Sequence, residues 1–240
     1  MASSRLILLR CCPSATGLLG SLRKFSISAL RERSLGDPDR TLVGPVTPLG
    51  ARAPPPLAIY RDVVSEAEEA RIVIDAERML RRKAFEDGHF DNVIVGYREA
   101  QKPLHSFSDT SQSALTRLVE GIFPAGTQLL PVHLLDLAPT GYIQRHVDHV
   151  EYSGAHIVGL SLRTDALMTL HATRESGGPN EDVWLPMRLP RRSLYVLHAE
   201  ARYEWAHAIP QDPSAWWDAG PLPNKGQRLS VLFRDAPKQQ

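Results

Sequence analysis

Apolar residues follow two different spacings along the chain, and the change falls near Gly126. Before this point, apolar residues recur every three or four positions, which is the spacing of one face of an amphipathic helix. A capping box, Ser65-Glu66-Ala67-Glu68, predicts the start of a helix of about 20 residues. A second helix is predicted from about Thr110 to Phe123, where Pro124 ends it.

After Gly126, short apolar stretches alternate with turn residues such as Pro139-Thr140-Gly141. A further short strand, Val93–Val95, is predicted between the two helices. The stretches predicted as strands are Leu129–Leu137, Tyr142–Val147, His156–Leu162, Leu167–His171, Val183–Leu189, Ser193–Leu197, Tyr203–His207 and Arg228–Arg234. Short strands at this spacing favour a sandwich or barrel-like double sheet. We therefore predict a mostly β fold with flanking helices: a double-stranded β-helix, or jelly roll, braced by two N-terminal helices.

Charge divides the chain into a basic leader and an acidic body. Residues 1–34 contain six basic residues and one acidic residue, a net charge of +5. The whole chain has a formal net charge of +1, so the remainder carries −4. The first 31 residues lack Asp and Glu and are rich in Ser, Leu and Arg, a composition typical of a mitochondrial transit peptide. We predict a transit peptide over residues 1–34 and a location in the mitochondrial matrix.

The remaining composition sets the predicted domains. Residues 35–56 contain many prolines and are predicted to form a disordered linker, and residues 57–237 are predicted to form one domain. No apolar run approaches the ~18 residues needed to span a bilayer. Both cysteines, Cys11 and Cys12, lie in the leader. Disulfides and thiolate metal ligands are therefore excluded from the predicted domain, and any metal there must be held by His, Asp or Glu.

The candidate chemistry centres on His146 and Asp148, which are two positions apart. Side chains at i and i+2 of a strand point to the same face, so this imidazole and this carboxylate can converge. With a second histidine, for which we select His207, they would form the 2-His-1-carboxylate triad that binds non-haem Fe(II). The alternatives are a polar strand end, and a zinc site that uses the His146/His149 pair.

A carboxylate co-substrate would need a cation near the metal, and Arg228 is the candidate. It begins a predicted strand whose Leu229, Val231 and Phe233 form an apolar face, which leaves Arg228 on the opposite face. The planar guanidinium binds a carboxylate through two hydrogen bonds. Tyr195, on another predicted strand, offers a hydroxyl to the same carboxylate.

Several short segments together match a known pattern. They are Gly141–Asp148, Gly159-Leu160-Ser161-Leu162, Ser193-Leu194-Tyr195, Ala201-Arg202-Tyr203 with His207, and Arg228-Leu229-Ser230-Val231 with Arg234. In this set the chain resembles the AlkB family of Fe(II)- and 2-oxoglutarate-dependent dioxygenases, most closely its mitochondrial branch, over roughly residues 57–237. The resemblance implies an enzyme with Fe(II) bound by His146, Asp148 and His207. It also implies that 2-oxoglutarate is bound by Tyr195, Arg228 and Arg234, with O2 as the second co-substrate.

The sequence departs from the nucleic-acid demethylases of that family. Those enzymes carry Arg-x-Asn-x-Thr-x-Arg on the last strand, where this chain has Ser230 and Leu232. The acidic body also argues against binding a phosphate backbone. We therefore expect hydroxylation of a protein substrate, with demethylation of mitochondrial RNA and a non-catalytic binding module as alternatives; DNA is disfavoured. The resemblance further implies roles in alkylation-induced programmed necrosis and in fatty-acid metabolism.

Overall fold

The computed structural model of the chain describes residues 35–48, 53–88, 93–173, 183–215 and 226–237. The predicted transit peptide, residues 1–34, lies outside the described residues. In the described part, no helix combines the length and the apolarity that crossing a bilayer requires.

Three α-helices occur in the described residues: α1 (Glu66–Leu80), α2 (Asp109–Ile122) and the one-turn α3 (Glu200–Tyr203). The capping box at the start of α1 is present, since Ser65 and Glu68 exchange side-chain-to-backbone hydrogen bonds. Helix α1 has 15 residues and ends at Leu80, earlier than predicted. The three residues after Leu80 are basic and exposed, so nothing there continues the buried face.

Nine β-strands form one antiparallel sheet within the described residues. They are β1 (Leu57–Tyr60), β2 (Ile94–Lys102), β3 (Val132–His146), β4 (His156–Leu162), β5 (Ala166–Ala172), β6 (Trp184–Leu189), β7 (Ser193–His198), β8 (Trp205–Ile209) and β9 (Arg228–Arg234). The order across the sheet is β1-β7-β4-β9-β3-β8-β5-β6, and β2 also pairs with β3.

Strand β3 connects the two halves of this sheet. Its first part, His133–Leu137, pairs with β9, and its last part pairs with β8 at Ile143 and His146. The sequence had predicted two strands here, separated by a turn at Pro139-Thr140-Gly141, and that prediction is wrong. Strand β2 pairs with both parts, so the backbone hydrogen bonds continue past the turn residues, and the proline is accommodated in a bulge.

The sheet folds over so that two apolar cores form. One lies between the two halves of the sheet and includes Ile59, Leu135, Met168, Leu185 and Trp205. The other lies between the first half and helices α1 and α2, and includes Ile72, Leu115, Val158, Val196 and Val231. Alternate residues of the same strand supply the two cores, as strand geometry requires. The prediction of a mostly β jelly roll braced by two N-terminal helices is confirmed.

The expectation of a disordered linker over residues 35–56 does not hold for residues 35–48. Leu42 and Val46 are buried in the core between the sheet halves, and Val43 and Thr47 form isolated bridges to β6. Prolines prevent a regular helix here but not packing of the apolar residues between them. This segment covers the outer edge of the sheet at β6, where an unpaired strand would otherwise be exposed.

Candidate functional site

The structure brings the three predicted metal ligands together at one end of the sandwich. His146 and His207 are cross-strand partners on β3 and β8, and Asp148 lies two residues beyond His146. The Nε2 atoms of His146 and His207 lie 3.2 and 3.6 Å from Oδ1 of Asp148. The two imidazole centroids are 4.2 Å apart. The ligand atoms of all three residues lie within 4.8 Å of one another, close enough to surround one ion.

The protonation of these groups also suits a metal. Burial lowers the pKa of His207 to about 3, so this imidazole is neutral. Burial raises the pKa of Asp148, but the hydrogen bond from His146 and the charge of Arg234 outweigh it and hold that pKa well below its usual value. Asp148 is therefore an ionised carboxylate.

His146 is oriented by the backbone. Its Nδ1 donates to the carbonyl oxygen of Gln144 at 2.9 Å, which leaves Nε2 to face the site. Burial lowers the pKa of His146, whereas the hydrogen bond and charge of Asp148 raise it, and the net shift is upward. A cation placed between these atoms would displace the proton that Asp148 otherwise attracts. Two imidazole nitrogens and one carboxylate oxygen are the donors that Fe(II) takes in a facial triad, so the residues present fit that ion.

Arg234, expected to contact 2-oxoglutarate, lies against the triad. Its Nε donates to Oδ2 of Asp148 at 2.8 Å, and its Nη1 donates to Nδ1 of His133 at 3.0 Å. Nε2 of His133 lies 2.8 Å from Oε2 of Glu99 on β2. The local sequence gives neither His133 nor Glu99 a chemical role. The i+2 alternation of β2 and β3 could have placed both on the site face, but only the pairing of the strands aligns them with Arg234.

Arg228 and Tyr195 lie on the inner side of the sheet, as predicted. Only 4% of Arg228 is exposed, and its Nε donates to Ser161 Oγ at 3.2 Å. The guanidinium also hydrogen-bonds the Tyr195 hydroxyl, while its Nη2 is buried without a partner. Burial lowers the pKa of Arg228 and raises that of Tyr195. Within the described residues no carboxylate neutralises Arg228, so a buried cation here is compensated by hydroxyl groups alone.

The position of the Tyr195 ring depends on a glycine in the neighbouring strand. Tyr195 and Gly159 are cross-strand partners, and a Cβ on Gly159 would lie only 2.3 Å from the tyrosine ring. The ring therefore lies flat over β4, with its hydroxyl directed to Arg228. The charges of Arg228 and Arg234 lower the pKa of this hydroxyl and that of Asp148 raises it, while burial, the largest effect, leaves the pKa raised overall.

Arg202 holds the loop that follows the H-x-D motif. Its guanidinium donates to the carbonyl oxygens of Asp148, Ser153 and Gly154 at 2.8, 3.3 and 3.2 Å, and to Ser153 Oγ at 2.9 Å. Only 2% of Arg202 is exposed. Because α3 leads directly into β8, this one side chain connects the loop after Asp148 to the strand that carries His207. No local sequence signal distinguishes this arginine from a surface one.

Exposed apolar and aromatic side chains border the site. Val150 and Tyr152 follow Asp148 and are 58% and 71% exposed, and Tyr203, whose ring packs on the Arg202 guanidinium, is 41% exposed. The His149 ring meets Tyr152 edge-on. We call these four residues the site rim. His149 is not part of the metal-ligand cluster, which gives the zinc alternative no support in the described residues.

The chain was compared with protein families and with known proteins. No family model matches it. Two curated proteins, both named "Alpha-ketoglutarate-dependent dioxygenase alkB homolog 7, mitochondrial", are each 38% identical to it. The Mus musculus protein aligns over 181 residues, covering 75% of this chain and 78% of its own length. The Bos taurus protein aligns over 176 residues, with 73% and 76% covered.

Two solved structures are similar in fold. The structure of OsALKBH1 gives a TM-score of 0.53 at 11% identity and covers 76% of this chain and 99% of its own. A prolyl-4-hydroxylase from Pseudomonas putida gives a TM-score of 0.51 at 12% identity, with 76% and 93% covered. At this level of identity the likeness concerns the fold alone.

Proposed function

The chain belongs to the alkB homolog 7 family of alpha-ketoglutarate (2-oxoglutarate)-dependent dioxygenases, and from that premise we propose that it hydroxylates a protein substrate in the mitochondrial matrix. Membership of this family implies Fe(II) and 2-oxoglutarate. The proposed ligands are His146, Asp148 and His207 for the metal, and Tyr195, Arg228 and Arg234 for 2-oxoglutarate.

One observation carries the proposal: the described residues hold both a cluster of metal-ligand atoms and a buried arginine whose charge no described carboxylate neutralises, and the charges of Asp148 and Arg228 both act on the Tyr195 hydroxyl. A buried guanidinium with an unused N–H is costly unless an anion binds it. A dicarboxylate with one end at the metal and the other at Arg228 would supply that anion. Ser161 and Tyr195 already fix the direction of the guanidinium, so its orientation is set before the ligand arrives.

The residues of the protein therefore orient the ligand atoms and set their charges. Asp148 stays ionised and His207 neutral, as metal ligands must be. Arg234 neutralises part of the Asp148 charge and keeps that carboxylate in place. The chemistry that Fe(II) supplies at such a site is the activation of O2, which oxidises 2-oxoglutarate to succinate and carbon dioxide and places one oxygen atom in a substrate C–H bond.

The site rim supports a protein substrate. Val150, Tyr152 and Tyr203 offer the exposed apolar and aromatic contacts that are enriched where proteins bind each other. The acidic residues Glu151 and Glu204 lie next to them in the chain, and Glu200 lies three residues before Tyr203. Carboxylates at this position would repel a phosphate backbone, whereas a basic or neutral peptide would not be repelled.

The decisive experiment measures two products: the succinate formed from 2-oxoglutarate and the oxidised substrate. Purified protein with Fe(II), 2-oxoglutarate and ascorbate is supplied with either mitochondrial protein or mitochondrial RNA, and succinate release is measured with each. We expect the protein fraction to stimulate succinate release and to gain a mass of one oxygen atom, and we expect the His207→Ala variant to do neither. Succinate release stimulated by RNA alone, with formaldehyde as co-product, would overturn the proposed substrate.

Demethylation of RNA remains the second candidate because of one observation. Tyr152 and Tyr203 are exposed beside the metal ligands, and aromatic rings at such positions can stack on nucleobases. The third reading, a binding module without turnover, predicts that 2-oxoglutarate binds but is consumed with neither substrate. The same assay therefore separates all three.

The cellular part of the proposal extends to alkylation-induced programmed necrosis and fatty-acid metabolism. Its support is the family likeness, together with the word "mitochondrial" in the names of both relatives. Cells that lack this protein are expected to survive alkylation. The parent chain should restore the normal level of cell death in them, whereas His207→Ala should not. A location outside the matrix in protease-protection experiments would contradict the compartment.

A further inference from the structure

Four side chains form a continuous series from the outer strand β2 to the candidate metal site. Glu99 on β2 contacts His133 on β3, His133 contacts Arg234 on β9, and Arg234 contacts Asp148. The distances between the bonded atoms are 2.8, 3.0 and 2.8 Å in that order. Strands β2 and β9 both pair with β3, and the series crosses the three strands diagonally, because Glu99 and Arg234 each lie two residues from the position directly opposite His133. We call it the Glu99–Asp148 relay.

The direction of each hydrogen bond follows from the chemistry of arginine. A guanidinium has only donors, so Nδ1 of His133 must accept from Arg234. The ring then carries its proton on Nε2, which donates to Glu99. Glu99 thus stabilises the one tautomer of His133 that can hold Arg234, in the way that carboxylates orient metal-bound histidines elsewhere.

We propose that Glu99 and His133 are positioning residues for the co-substrate, acting through Arg234. This inference rests on the proposed function of the site. Two of the three guanidinium nitrogens of Arg234 are held, one by a metal ligand and one by His133. The third, Nη2, has no protein acceptor among the described residues and is left for a carboxylate oxygen of 2-oxoglutarate.

The relay matters because Arg234 must contact Asp148 and also direct Nη2 to the co-substrate. Asp148 attracts its guanidinium from one side, and without His133 the long side chain could rotate and turn Nη2 away from the co-substrate. Fixing the second nitrogen removes that freedom before binding, so less conformational entropy is lost when 2-oxoglutarate binds. The relay therefore deepens the role assigned to Arg234 and extends it to residues on two other strands.

A purely structural role fits the surroundings of the relay less well. The side chain of Glu99 is 34% exposed and that of His133 is 12% exposed, so neither fills a core. The backbones of β2 and β3 are already paired over this stretch, and the strands do not need these side chains to stay together. Substitutions here are expected to leave the fold intact.

The test measures binding rather than turnover. Mn(II)-loaded protein is titrated with 2-oxoglutarate by calorimetry, and Mn(II) binding to the same variants is measured separately. His133→Leu removes both hydrogen bonds, whereas His133→Gln keeps an acceptor for Arg234 and a donor for Glu99. His105→Leu is the matched control, because His105 is exposed on the short 3-10 helix Leu104–Ser106, away from the relay.

We expect His133→Leu to weaken 2-oxoglutarate binding about tenfold or more, the size of effect typical for residues that orient others at a metal site. We expect His133→Gln and His105→Leu to bind 2-oxoglutarate within a factor of about three of the parent, and Glu99→Gln to lie between the two histidine variants. Mn(II) affinity should change far less than 2-oxoglutarate affinity in all four variants. In turnover assays the defect of His133→Leu should appear in KM for 2-oxoglutarate more than in kcat.

Two results would overturn the relay. One is parent-like 2-oxoglutarate binding by His133→Leu. The other is an equal loss of Mn(II) and 2-oxoglutarate binding, or a large fall in the melting temperature, which would mark His133 as structural. Failure of the parent protein itself to bind Mn(II) or 2-oxoglutarate is a different outcome: it would overturn the proposed function, and with it the inference built upon it.

Discussion

At the scale of single residues, the site differs from the rest of the molecule in how its charges are compensated. Elsewhere in the described residues buried carboxylates have full sets of partners, as Asp136 does with Arg98 and Gln227. Asp148 is likewise held by His146 and Arg234. Arg228 is the exception, since hydroxyl groups alone face its buried guanidinium. A buried charge with no opposite charge beside it is expected where a charged ligand completes the site.

Replacing Arg228 by methionine tests this assignment while keeping most of the side-chain volume. Removing one partner of a buried charge pair costs about 2–5 kcal/mol, and one decade of affinity is about 1.4 kcal/mol. Arg228→Met should therefore weaken 2-oxoglutarate binding at least tenfold, as measured by calorimetry on Mn(II)-loaded protein. Metal binding should survive, and Arg228→Lys should restore the affinity only in part, because an ammonium lacks the planar fork.

The matched control for Arg228 is Arg82→Met. Arg82 is exposed just beyond α1. Arg163 is unsuitable as a control because it forms ion pairs with Glu77 and Asp136. Parent-like affinity in Arg228→Met would remove Arg228 from the proposed co-substrate site.

Loss of a metal ligand should affect binding more than folding. His146→Ala or His207→Ala is expected to abolish Mn(II) or Fe(II) binding in equilibrium dialysis. Neither histidine belongs to either apolar core, and their side chains are 22% and 12% exposed, so the free energy of unfolding should fall by less than the ~2–5 kcal/mol typical of a core truncation. His149→Ala is the control, and a loss of metal binding in that variant would revive the zinc alternative.

At the scale of elements, β3 determines where the metal ligands lie. Gly96, at φ +66°, stands opposite four residues of β3, numbers 138–141, at a shift of register between β2 and β3. The resulting bulge bends β3, so its first part pairs with β9 and its last residues pair with β8. Because His146 ends the bent part, the bulge sets the position of the H-x-D motif relative to His207.

A methyl group at Gly141 should disturb this bend. A Cβ there would lie 2.5 Å from the carbonyl oxygen of Gly96 and 2.8 Å from a methyl carbon of Leu137, closer than packed atoms tolerate. Gly141→Ala is expected to destabilise the fold by about 1–3 kcal/mol and to weaken metal binding together with it. Gly126→Ala is a poor control because its φ is +81°, so Ala125→Ser in the same exposed turn is preferred. Unchanged stability and metal affinity in Gly141→Ala would show that the strands separate easily here.

Helices α1 and α2 are joined by a buried carboxylate whose effect depends on pH. Asp75 accepts from the Ser108 backbone N–H, from Ser108 Oγ and from Ser111 Oγ at 3.0, 2.6 and 2.7 Å. Burial raises the pKa of Asp75, but these hydrogen bonds outweigh it and the net pKa is lowered. The ionised form is therefore favoured in the folded state. Its stabilisation is complete above the unfolded pKa of about 3.9 and is lost as the pH falls through the lower folded pKa.

Urea unfolding at neutral pH and in acid tests this contribution. Asp75→Asn should lower the free energy of unfolding at pH 7 by about 1–3 kcal/mol. The difference between variant and parent should begin to shrink below about pH 4, where the carboxylate of the unfolded parent becomes protonated, and should be lost below the lower folded pKa. The exposed Asp87→Asn serves as control. A difference that stays constant down to the acid limit would argue that charge at Asp75 plays no part.

At the scale of the whole molecule, the charge is divided between a basic leader, predicted to be a transit peptide, and an acidic body. The leader has a net charge of +5 and the remainder −4. Basic leaders with very few acidic residues direct import into mitochondria, and an acidic body favours partners other than nucleic acid. The names of both relatives agree with a mitochondrial protein.

Fusing residues 1–34 to a fluorescent reporter tests the predicted transit peptide. We expect the reporter in the matrix, protected from added protease. The control fusion has all the basic residues of the leader replaced by glutamine: Arg5, Arg10, Arg23, Lys24, Arg31 and Arg33. It should remain in the cytosol, because import depends on the positive charge. A parent fusion that stays in the cytosol would contradict the prediction.

The sequence by itself determined the features that depend on local spacing. Period-2 alternation in Arg228–Arg234 placed Leu229, Val231 and Phe233 against the helices and left Arg228 on the inner face, as the structure has them. The capping box located the start of α1, and the H-x-D spacing put His146 and Asp148 on one side. Such features need only the chain's own geometry, so each short segment carries the information for them.

Only the tertiary structure decided what depends on pairing between distant segments. A turn signal at Pro139-Thr140-Gly141 could not reveal that β2 would bridge it, and prolines in residues 35–48 could not show that Leu42 is buried. The Glu99–Asp148 relay and the Arg202 contacts join residues 34 to 101 positions apart. Hydrogen bonds over such separations form only after strand register is set, and register is fixed by the burial of whole strand faces rather than by any single residue.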